Sequence, residues 1–476
     1  MILGVVGAGT MGAGIAQLGA EAGMRTLLHD PDPDALTRVE ADVETVAELS
    51  GLAGCELVVE AAPERMEVKR ELFGALAEVV AGDAVLATNT SSLSVTEIAA
   101  GVPHPERVVG LHFFNPAPRM KLVEVVAGAR SGAAALAVAR SAGEAMGKRV
   151  IDAQDVAGFL VNRVNRPFTL ESLKLLEERV ADVETIDRVL RLGAGFRMGA
   201  FELMDLVGID TNHAVAESFQ RRSFGEPRYR PSPLAARQVS AGTLGRKTGS
   251  GWYAYRDGER HRPRDPGPPG APPPPGPLAV LGDDPLAAAI RRAAAEAGFD
   301  LEGDPWLTVD LRPAGAPRAG GPVLRLVRED FLAVLDPTAA GFHALMPFDG
   351  CRLVELARTP RTDPVALDRS RALCAALGRH HALTEDVPGL VTGRVVCQLI
   401  NEAAFLLDAG LGTPGDVDAG LELGVAHPRG PVAWSEAIGL GAVVATLDGL
   451  RRALGEERYR VAPGLRRAAA LGCGLR

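Results

Sequence analysis

The sequence predicts an α/β domain built on a doubly wound sheet, then an all-α domain, and then a degenerate tandem repeat of both. Three observations predict this fold class. From Ile2 to about Val150, short apolar runs alternate with helical patterns. From Gly158 to about Val239, apolar residues recur at helical spacing instead. Segments of the first half then recur in the second half, which indicates a duplication.

Six short apolar runs are the predicted strands of the first sheet. They are Ile2–Val6, Thr26–His29, Glu56–Val59, Ala84–Ala87, Val108–Phe113 and Leu122–Val126. Because helical patterns separate most of these runs, we expect a parallel sheet covered by helices. Ligands of such sheets bind beyond the carboxyl ends of the strands, so functional residues are expected there.

The internal repeat identifies the second sheet domain. Gly341–Glu355 repeats Gly110–Glu124 without a gap, 231 positions later. Near the start of each half, Val280–Gly282 repeats Val5–Gly7, but 275 positions later. The difference between the two offsets predicts that the second sheet domain has lost about 44 residues, so it is expected to be a shrunken remnant.

These patterns predict five segments along the chain. They are a sheet domain over 1–152, a helical domain over 153–257, a proline-rich linker over 258–277, a degenerate sheet domain over 278–380, and a second, non-catalytic helical domain over 381–476. The linker is expected because its run of prolines and glycines supports neither a helix nor a strand ladder.

Composition excludes several functional classes. The 476 residues carry a net charge of -9 without a dense Lys/Arg run, which argues against nucleic acid or an anionic membrane as a partner. Five scattered cysteines without a CxxC pair predict neither a disulfide framework nor a metal site, and favour a reducing compartment. The first strand leaves no room for a signal peptide, and no apolar run approaches a bilayer span. We therefore expect a cytoplasmic protein.

A glycine-rich segment after the first predicted strand is the strongest local motif. Its glycines allow a tight turn and a close approach of a pyrophosphate to the start of the next helix. Asp30 ends the second strand, where a carboxylate accepts hydrogen bonds from an adenine ribose, and no Arg follows it to bind a 2′-phosphate. The segment predicts a Rossmann domain that binds NAD, rather than an unliganded glycine turn. The residues expected to hold NAD at this stage are Gly7, Gly9, Thr10, Met11, Gly12 and Asp30.

The second copy is not expected to bind a dinucleotide. Gly282–Ala287 places Asp283, Asp284 and Pro285 where backbone amides should face phosphate. An aspartate that caps the following helix accounts for this sequence.

His112 is the candidate base for an NAD-dependent oxidation of an alcohol, since imidazole is the side chain suited to accept a proton near neutral pH. It stands at the end of a predicted strand, before Asn115 and Pro116. Its apolar neighbours leave open that it is a satisfied core residue. Glu124, twelve positions later in the next apolar run, favours a catalytic role, because its carboxylate can hold one ring nitrogen and leave the other for substrate.

Four longer motifs resemble the L-3-hydroxyacyl-CoA dehydrogenase family: Thr88–Leu93, Leu111–Pro116, Lys121–Glu124 and Gly158–Arg163. The resemblance covers nearly all of residues 1–255. The second half resembles the duplicated C-terminal portion of the bacterial 3-hydroxybutyryl-CoA or 3-hydroxyadipyl-CoA branch. It implies reversible, NAD-dependent oxidation of an (S)-3-hydroxyacyl-CoA to the 3-oxoacyl-CoA, with a short-chain or dicarboxylic acyl group.

The resemblance also implies roles for residues. His112 is the general base, Glu124 orients it, and Ser91 and Asn162 donate hydrogen bonds to substrate oxygens. Residues implied to line the nicotinamide and thioester region are Glu64, Lys69, Asn89 and Asn115.

These roles have simpler alternatives. Ser91 is also placed to cap a helix that starts near Ser94, and Asn162 to be a capping or solvated amide. Lys69 lies among glutamates on a predicted helix, where it is also suited to a surface ion pair. Arg119 and Lys121 are candidates to meet a distal substrate carboxylate, or are surface charges.

One active site per chain is expected. His343 and Glu355 keep the spacing of the first copy, but Gly393 stands where Asn162 is expected. By analogy with the family, the two helical domains are expected to pack as a pseudo-dimer within the chain, and a homodimer of the whole chain is left open.

One departure from the family leaves two rival functions open. The long helical hairpin usual between the second and third strands is largely missing, which puts the grip on coenzyme A in doubt. A dehydrogenase of a free hydroxy acid or sugar acid is therefore one alternative, and a non-catalytic NAD-binding protein is the other. The survival of the four catalytic candidates in one copy argues against the second alternative.

Overall fold

The computed structural model describes residues 1–255, 261, 263, 265, 267, 270–274 and 276–475. The predicted linker over 258–277 therefore lies partly outside the described residues. The chain divides into two compact units. One is Met1–Arg163 together with Gly410–Ala426, and the other is Val164–Ala409 together with His427–Arg476. Each unit thus contains chain from both halves of the sequence.

The first unit is built on an eight-stranded sheet in the order β3-β2-β1-β4-β5-β6-β7-β8. Its strands are β1 (Ile2–Val6), β2 (Arg25–His29), β3 (Glu44–Val46), β4 (Leu57–Glu60), β5 (Val85–Thr88), β6 (Val108–Phe113), β7 (Leu122–Ala127) and β8 (Arg149–Gln154). Its helices are α1 (Thr10–Glu21), α2 (Pro33–Thr37), α3 (Met66–Val79), α4 (Val95–Ala99) and α5 (Ala133–Ala145). Between β2 and β4, which are the second and third predicted strands, the chain forms only the five-residue helix α2, the short strand β3 and a 3₁₀ turn over Leu49–Leu52, in place of a long hairpin.

Three features of this sheet differ from the sequence prediction. Strand β7 runs antiparallel to β6, so the expectation of an all-parallel sheet is wrong there. The connection from Phe113 to Leu122 is too short for the dozen or more residues that a parallel crossover requires. Strands β3 and β8 were not predicted, because β3 is short and mostly exposed and β8 alternates buried and exposed residues without an apolar run.

Five helices follow the first sheet, as the helical spacing predicts. They are α6 (Val161–Glu177), α7 (Val183–Gly193), α8 (Ala200–Val207), α9 (Ile209–Arg222) and α10 (Pro233–Ser240). Helix α7 packs on strands of the second sheet, within the second unit.

The second sheet has six strands in the order β14-β13-β12-β11-β10-β9. They are β9 (Leu278–Leu281), β10 (Leu307–Asp310), β11 (Val323–Leu326), β12 (Ala340–His343), β13 (Leu353–Ala357) and β14 (His380–Thr384), with helices α11 (Pro285–Glu296), α12 (Leu332–Leu335) and α13 (Pro364–Ala376). Strand β9 corresponds to β1 and pairs directly with β10, which corresponds to β4. Within the described residues this sheet therefore has no counterpart of β2, β3 or α3, which is where the second copy has been shortened.

Five helices complete the chain: α14 (Thr392–Asp408), α15 (Pro414–Gly424), α16 (Pro431–Ile438), α17 (Leu440–Leu454) and α18 (Pro463–Leu471). Helix α15 belongs to the first unit and packs on β7 and β8. It is thus separated in sequence from the sheet it covers by more than half of the chain.

Helices of the two halves contact one another within the second unit through reciprocal ion pairs. Glu171 of α6 bonds Arg394 of α14 at 3.0 Å and Arg458 at 3.3 Å. Glu402 of α14, the repeat counterpart of Glu171, accepts a bond from Arg228 at 2.7 Å. The side chain of Arg394 is completely buried. A buried arginine is tolerated only where carboxylates neutralise it, so this network specifies how α6 and α14 pack.

Among the described residues, no helix combines the length and the apolar character needed to cross a bilayer.

Candidate active site

His112 and Glu124 face each other across the antiparallel pair β6–β7. The Nδ1 atom of His112 lies 2.7 Å from Oε2 of Glu124, and both side chains are buried. The structure therefore brings together the two residues that the sequence paired. Because β7 returns immediately beside β6, the two are direct cross-strand neighbours rather than residues on adjacent parallel strands.

The second carboxylate oxygen of Glu124 is also occupied. Oε1 accepts hydrogen bonds from the backbone N–H groups of Leu160 and Val161, each at 3.0 Å. Gly158 and Phe159 both have positive φ angles, 73° and 51°, and this left-handed turn presents the two amides at the start of α6. A carboxylate is favourable at a helix N-terminus, so these two bonds stabilise the negative charge of Glu124. With His112 at Oε2, Glu124 is held at both oxygens.

Two aromatic rings orient the His112 ring. The ring centroid of Phe114 lies 4.6 Å from it and that of Phe159 lies 5.7 Å from it, edge-on. Among the described residues, only Nδ1 of His112 has a hydrogen-bond partner. The other ring nitrogen, Nε2, is therefore free to exchange a proton with a ligand.

Glu64 organises the Ser91 loop. Its Oε1 accepts bonds from the Thr90 hydroxyl at 2.7 Å and from the N–H groups of Ser91 and Ser92, each at 3.0 Å. Burial acts to raise the pKa of Glu64, but the charge of Lys69 and these hydrogen bonds outweigh it and lower the pKa. Glu64 is thus held as a carboxylate.

Ser91 does not cap helix α4. Ser94 is the N-cap, and its hydroxyl accepts from the N–H of Glu97 at 3.2 Å. The capping alternative for Ser91 is therefore wrong. Within the part of the chain that the structure describes, the Ser91 hydroxyl makes only a long contact of 3.4 Å with Glu64.

Lys69 is buried rather than paired on the surface. Its side chain is 1% exposed, and Nζ lies 2.6 Å from Glu60 and 3.4 Å from Glu64. The surface-pair alternative is therefore wrong. Glu60 also accepts bonds from Thr88 at 2.7 Å and from the N–H of Ala62 at 2.6 Å. Sequence reasoning missed Glu60, although a charged residue at the carboxyl end of an apolar strand is a usable signal.

The three predicted asparagines have different surroundings. Asn89 accepts a bond from the N–H of Phe113 at 2.8 Å and so joins the ends of β5 and β6. Asn115 is exposed and precedes a cis peptide bond to Pro116. Asn162 is partly exposed in the first turn of α6, and its amide has no hydrogen-bond partner among the described residues. It is therefore available to a ligand.

The glycine turn fits a dinucleotide pyrophosphate. A Cβ on Gly7 would lie 2.7 Å from the carbonyl oxygen of Ala61, and one on Gly12 would lie 1.7 Å from that of Gly7. A Cβ on Gly9 would meet nothing within 4 Å. Gly9 is the N-cap of α1 without a side-chain cap bond, so the helix start faces open space. Thr10 is exposed there, and Met11 is half-buried.

Asp30 lies beside this turn at the carboxyl end of β2. Its Oδ2 accepts a bond from the N–H of Ala8 at 2.7 Å, and its Oδ1 accepts one from the N–H of Asp32 at 2.9 Å. The carboxylate remains half-buried. This arrangement fits the ribose diol of a dinucleotide.

The second copy has lost this geometry. His343 Nδ1 contacts the hydroxyl of Thr392 at 3.1 Å, while Glu355 is 3.9 Å away. The His343 ring lies against Gly393, where a Cβ would be 2.5 Å from Nε2. Burial lowers the pKa of His343 to about 3, with the charge of Arg328 acting in the same direction. This imidazole is a neutral, enclosed core group.

The glycine turn of the second copy is closed by side chains. Asp284 caps α11 by accepting from the N–H of Ala287 at 2.8 Å, as the sequence predicts. Its other oxygen pairs with Arg328 at 2.7 Å. The cavity that remains beside these residues is about 20 Å³, which has room for a water molecule and not for a nucleotide.

Family models match both kinds of domain. The model described as 3-hydroxyacyl-CoA dehydrogenase, NAD binding domain, matches residues 2–50 and 38–156. The model described as 3-hydroxyacyl-CoA dehydrogenase, C-terminal domain, matches twice, over residues 158–255 and 389–474. The double match supports the tandem repeat.

Relatives with curated names agree with this. The chain is 36% identical to the 3-hydroxyadipyl-CoA dehydrogenase of Escherichia coli K12, over 99% of this chain and 98% of that protein. It is 36% identical to a probable 3-hydroxybutyryl-CoA dehydrogenase of Deinococcus radiodurans, over 54% of this chain and all of that protein. A crystal structure of 3-hydroxybutyryl-CoA dehydrogenase from Escherichia coli K12 superposes with a TM-score of 0.82 at 33% identity, covering 99% of this chain and 98% of that one.

Proposed function

The chain belongs to the 3-hydroxyacyl-CoA dehydrogenase family, and we propose that it acts at one site per chain on an (S)-3-hydroxyacyl-CoA with a short-chain or dicarboxylic acyl group. It is an NAD-dependent oxidoreductase that interconverts a 3-hydroxyacyl-CoA and the 3-oxoacyl-CoA. The observation that carries the proposed site is the His112–Glu124 pair. Because Nδ1 of His112 is bonded to Glu124, Nε2 is the ring nitrogen that can accept a proton from substrate.

His112 is the proposed general base. Its Nε2 accepts the proton of the substrate 3-hydroxyl. Bound NAD⁺ would supply the acceptor for the hydride that leaves C3. Glu124, bonded to Nδ1, fixes the tautomer and stabilises the imidazolium that forms. Because Leu160 and Val161 hold the other oxygen of Glu124, the carboxylate cannot rotate away from the ring. The reverse reaction returns the same proton.

Ser91 and Asn162 are the proposed donors to substrate oxygens. The Asn162 amide has no partner among the described residues, and the Ser91 hydroxyl has only a weak one. Donors that are already positioned stabilise the charge that develops on an oxygen during reaction.

NAD is proposed to lie along the glycine turn. The half-buried Asp30 carboxylate supports a contact to the ribose, and the open helix start above Gly9 supports a contact to the pyrophosphate. Glu64, Lys69 and Asn89 are proposed to shape the nicotinamide end, chiefly by holding the Ser91 loop and the end of β6. Asn115, exposed at the carboxyl end of β6, is proposed to line the same region.

The proposed acyl class rests on the relatives. The full-length relative named 3-hydroxyadipyl-CoA dehydrogenase supports a dicarboxylic substrate, and the half-length relative supports a short-chain one. Arg119 and Lys121 are exposed in the β6–β7 connection and are the proposed contacts for a distal carboxylate. The acidic surroundings of the short α2 segment offer little to the phosphates of coenzyme A.

Three further proposals concern organisation. The five segments predicted from the sequence are proposed as the domains of the chain. The two helical domains are proposed to form an intramolecular pseudo-dimer, which the reciprocal bonds of Glu171 and Glu402 support. The proposed location is the cytoplasm, supported by four buried cysteine thiols.

The test is oxidation of NADH, followed by absorbance, with acetoacetyl-CoA or free acetoacetate as substrate. We expect turnover of the thioester alone and its loss in His112→Ala, with His343→Ala as the matched control in the second copy. Adipyl-type 3-oxoacyl-CoA then tests the dicarboxylic preference. Turnover of acetoacetate would instead assign a free-acid dehydrogenase, and full activity of His112→Ala would contradict the mechanism.

A further inference from the structure

Helix α15 comes from the half of the chain that has no complete site, yet it packs on the sheet that carries His112 and Glu124. Thr413 caps the helix by accepting from the N–H of Asp416 at 3.2 Å. Asp416 in turn pairs with Arg149 of β8 at 3.3 Å. Val417 and Leu421 are completely buried, so one face of α15 is fixed in the first unit.

Gly420 on this face contacts the start of α6. A Cβ at Gly420 would lie 2.9 Å from Cγ2 of Val161 and 3.1 Å from Cδ2 of Leu160. Leu160 and Val161 are the residues whose N–H groups hold Oε1 of Glu124. The backbone of α15 therefore lies directly behind the support of the catalytic carboxylate.

Gly424, one turn later, contacts the first residue of β7 and the residue that follows β6. A Cβ there would lie 2.8 Å from Cδ2 of Leu122 and 3.3 Å from Cζ of Phe114. Phe114 packs its ring on His112, and Leu122 shares a face of β7 with Glu124. Displacement of either side chain would move one member of the pair relative to the other.

We propose that α15 is a positioning element for catalysis: through Gly420 and Gly424, the half of the chain without a complete site sets the geometry of the His112–Glu124 pair. This inference rests on the proposed function. The second half of the chain would then have a role in the reaction of the first half. The reason is that α15, which packs behind the proposed active-site residues between 112 and 161, is not contained in residues 1–255.

The repeat counterpart of Gly424 supplies a matched control. Gly193 of α7 lies on the second sheet, where a Cβ would be 3.2 Å from Cγ2 of Thr392 and 3.4 Å from the Leu353 carbonyl oxygen. It faces the corresponding part of the second sheet, at a somewhat longer distance, without a complete site behind it. Gly415, on α15 itself, is a second control, because a Cβ added there would meet nothing within 4 Å.

The test compares Gly424→Ala, Gly415→Ala and Gly193→Ala in the full-length chain. For Gly424→Ala we expect kcat with acetoacetyl-CoA to fall about tenfold or more, because a misplacement below 1 Å is costly in catalysis. NADH affinity, measured by fluorescence, and the KM for acetoacetyl-CoA should change less than about threefold, since the atoms nearest the added Cβ belong to Leu122 and Phe114 and not to the glycine turn, Ser91 or Asn162. Gly415→Ala and Gly193→Ala should keep kcat.

Removal of the clashing methyl group provides a rescue. Leu122→Ala removes the atom nearest to the new Cβ, so Leu122→Ala combined with Gly424→Ala should have a higher kcat than Gly424→Ala alone. If Gly424→Ala does not fold, Gly420→Ala addresses the neighbouring contact with α6. A folded Gly424→Ala with wild-type kcat would overturn the inference, as would an equal loss in Gly193→Ala. If the wild-type chain itself shows no turnover, the result overturns the proposed function, on which the role of α15 rests.

Discussion

At the scale of single residues, Glu124 and Glu355 are repeat counterparts with different hydrogen-bond partners. Each glutamate accepts bonds from two successive backbone N–H groups near the start of the next long helix. The second of these N–H groups belongs to Val161 in the first copy and to Thr392 at the equivalent position of the second copy. The hydroxyl of Thr392 bonds both Glu355 and His343. One added hydroxyl has thus taken the place that the histidine ring occupies beside Glu124.

This pair leads to a matched prediction. Glu124→Gln should lower kcat by about two to four orders of magnitude, because the amide no longer holds the imidazolium that forms on His112. Glu355→Gln removes a similar buried carboxylate and should leave kcat within about twofold of wild type, since no proton transfer depends on it. Steady-state kinetics with acetoacetyl-CoA checks both variants. Comparable losses of kcat in the two would contradict the assignment of roles.

The placement of candidate site residues was predictable where sequence order carried the signal. His112, Glu124 and the glycine turn lie at strand ends or in a recognisable motif. The bond of Lys69 to Glu60 was not predictable, because Glu60 at the end of β4 reaches it only after β4 and α3 have packed together. Burial of Lys69 is a property of that packing rather than of its local sequence, which is rich in glutamate.

At the scale of elements, the segment between α15 and α16 places His427 against α6 and buries it, which gives a predictable pH response. His427 bonds Asn165 of α6 at 2.8 Å through Nε2 and contacts the rings of Phe196 and Trp434. Burial lowers its pKa from 6.5 to about 3. Since the unfolded chain takes up a proton below pH 6.5 and the folded one does not, stability is full above that pH and is lost as the pH falls.

The corresponding variant is His427→Phe, which places in the second copy the residue found at position 196 of the first. Wild type should lose about 1.4 kcal/mol of unfolding free energy from this histidine between pH 7.5 and pH 5.5, and the variant should not. Urea unfolding at these two pH values measures the difference, with the contribution of His343 common to both proteins. An identical pH dependence in both would disprove the effect.

Element type was predicted better than element direction or pairing. The period of the apolar residues distinguishes strands from helices, so β1, β2, β4, β5, β6, β7 and the helices after Gly158 were expected. The antiparallel direction of β7 follows from the short loop between β6 and β7. The sequence contains this loop length, but the alternation of strands and helices elsewhere favours parallel strands with crossover helices. Strand β3, with three mostly exposed residues, has no apolar pattern to detect.

At the scale of the whole molecule, the two halves depend on each other through exchanged helices. Helix α15 of the second half covers β7 and β8 of the first sheet, and α7 of the first half packs on the second sheet. The second half is therefore part of the folded core of the first unit. A sequence repeat indicates two similar halves, but it does not say which half supplies each helix.

This exchange predicts the behaviour of a truncated chain. Residues 1–255 alone would expose Leu122, Phe114 and Leu160, which α15 covers in the full chain. Because α7 resembles α15, we expect two copies of the fragment to exchange α7 and form a homodimer. Size-exclusion chromatography with light scattering tests this. A stable, fully active monomer of the fragment would show that α15 is dispensable.

The sequence by itself determined the fold class, the family and NAD as the cofactor, and it singled out the residues of the proposed NAD site and of the proposed catalytic pair. These are encoded in short motifs and in apolar periodicity, which act over a few residues or within one element. Only the tertiary structure decided that β7 runs antiparallel, that Lys69 is buried against Glu60, and that α15 packs against Leu160 and Val161. Those features arise from contacts between residues far apart in the chain, whose side chains meet only when whole elements pack.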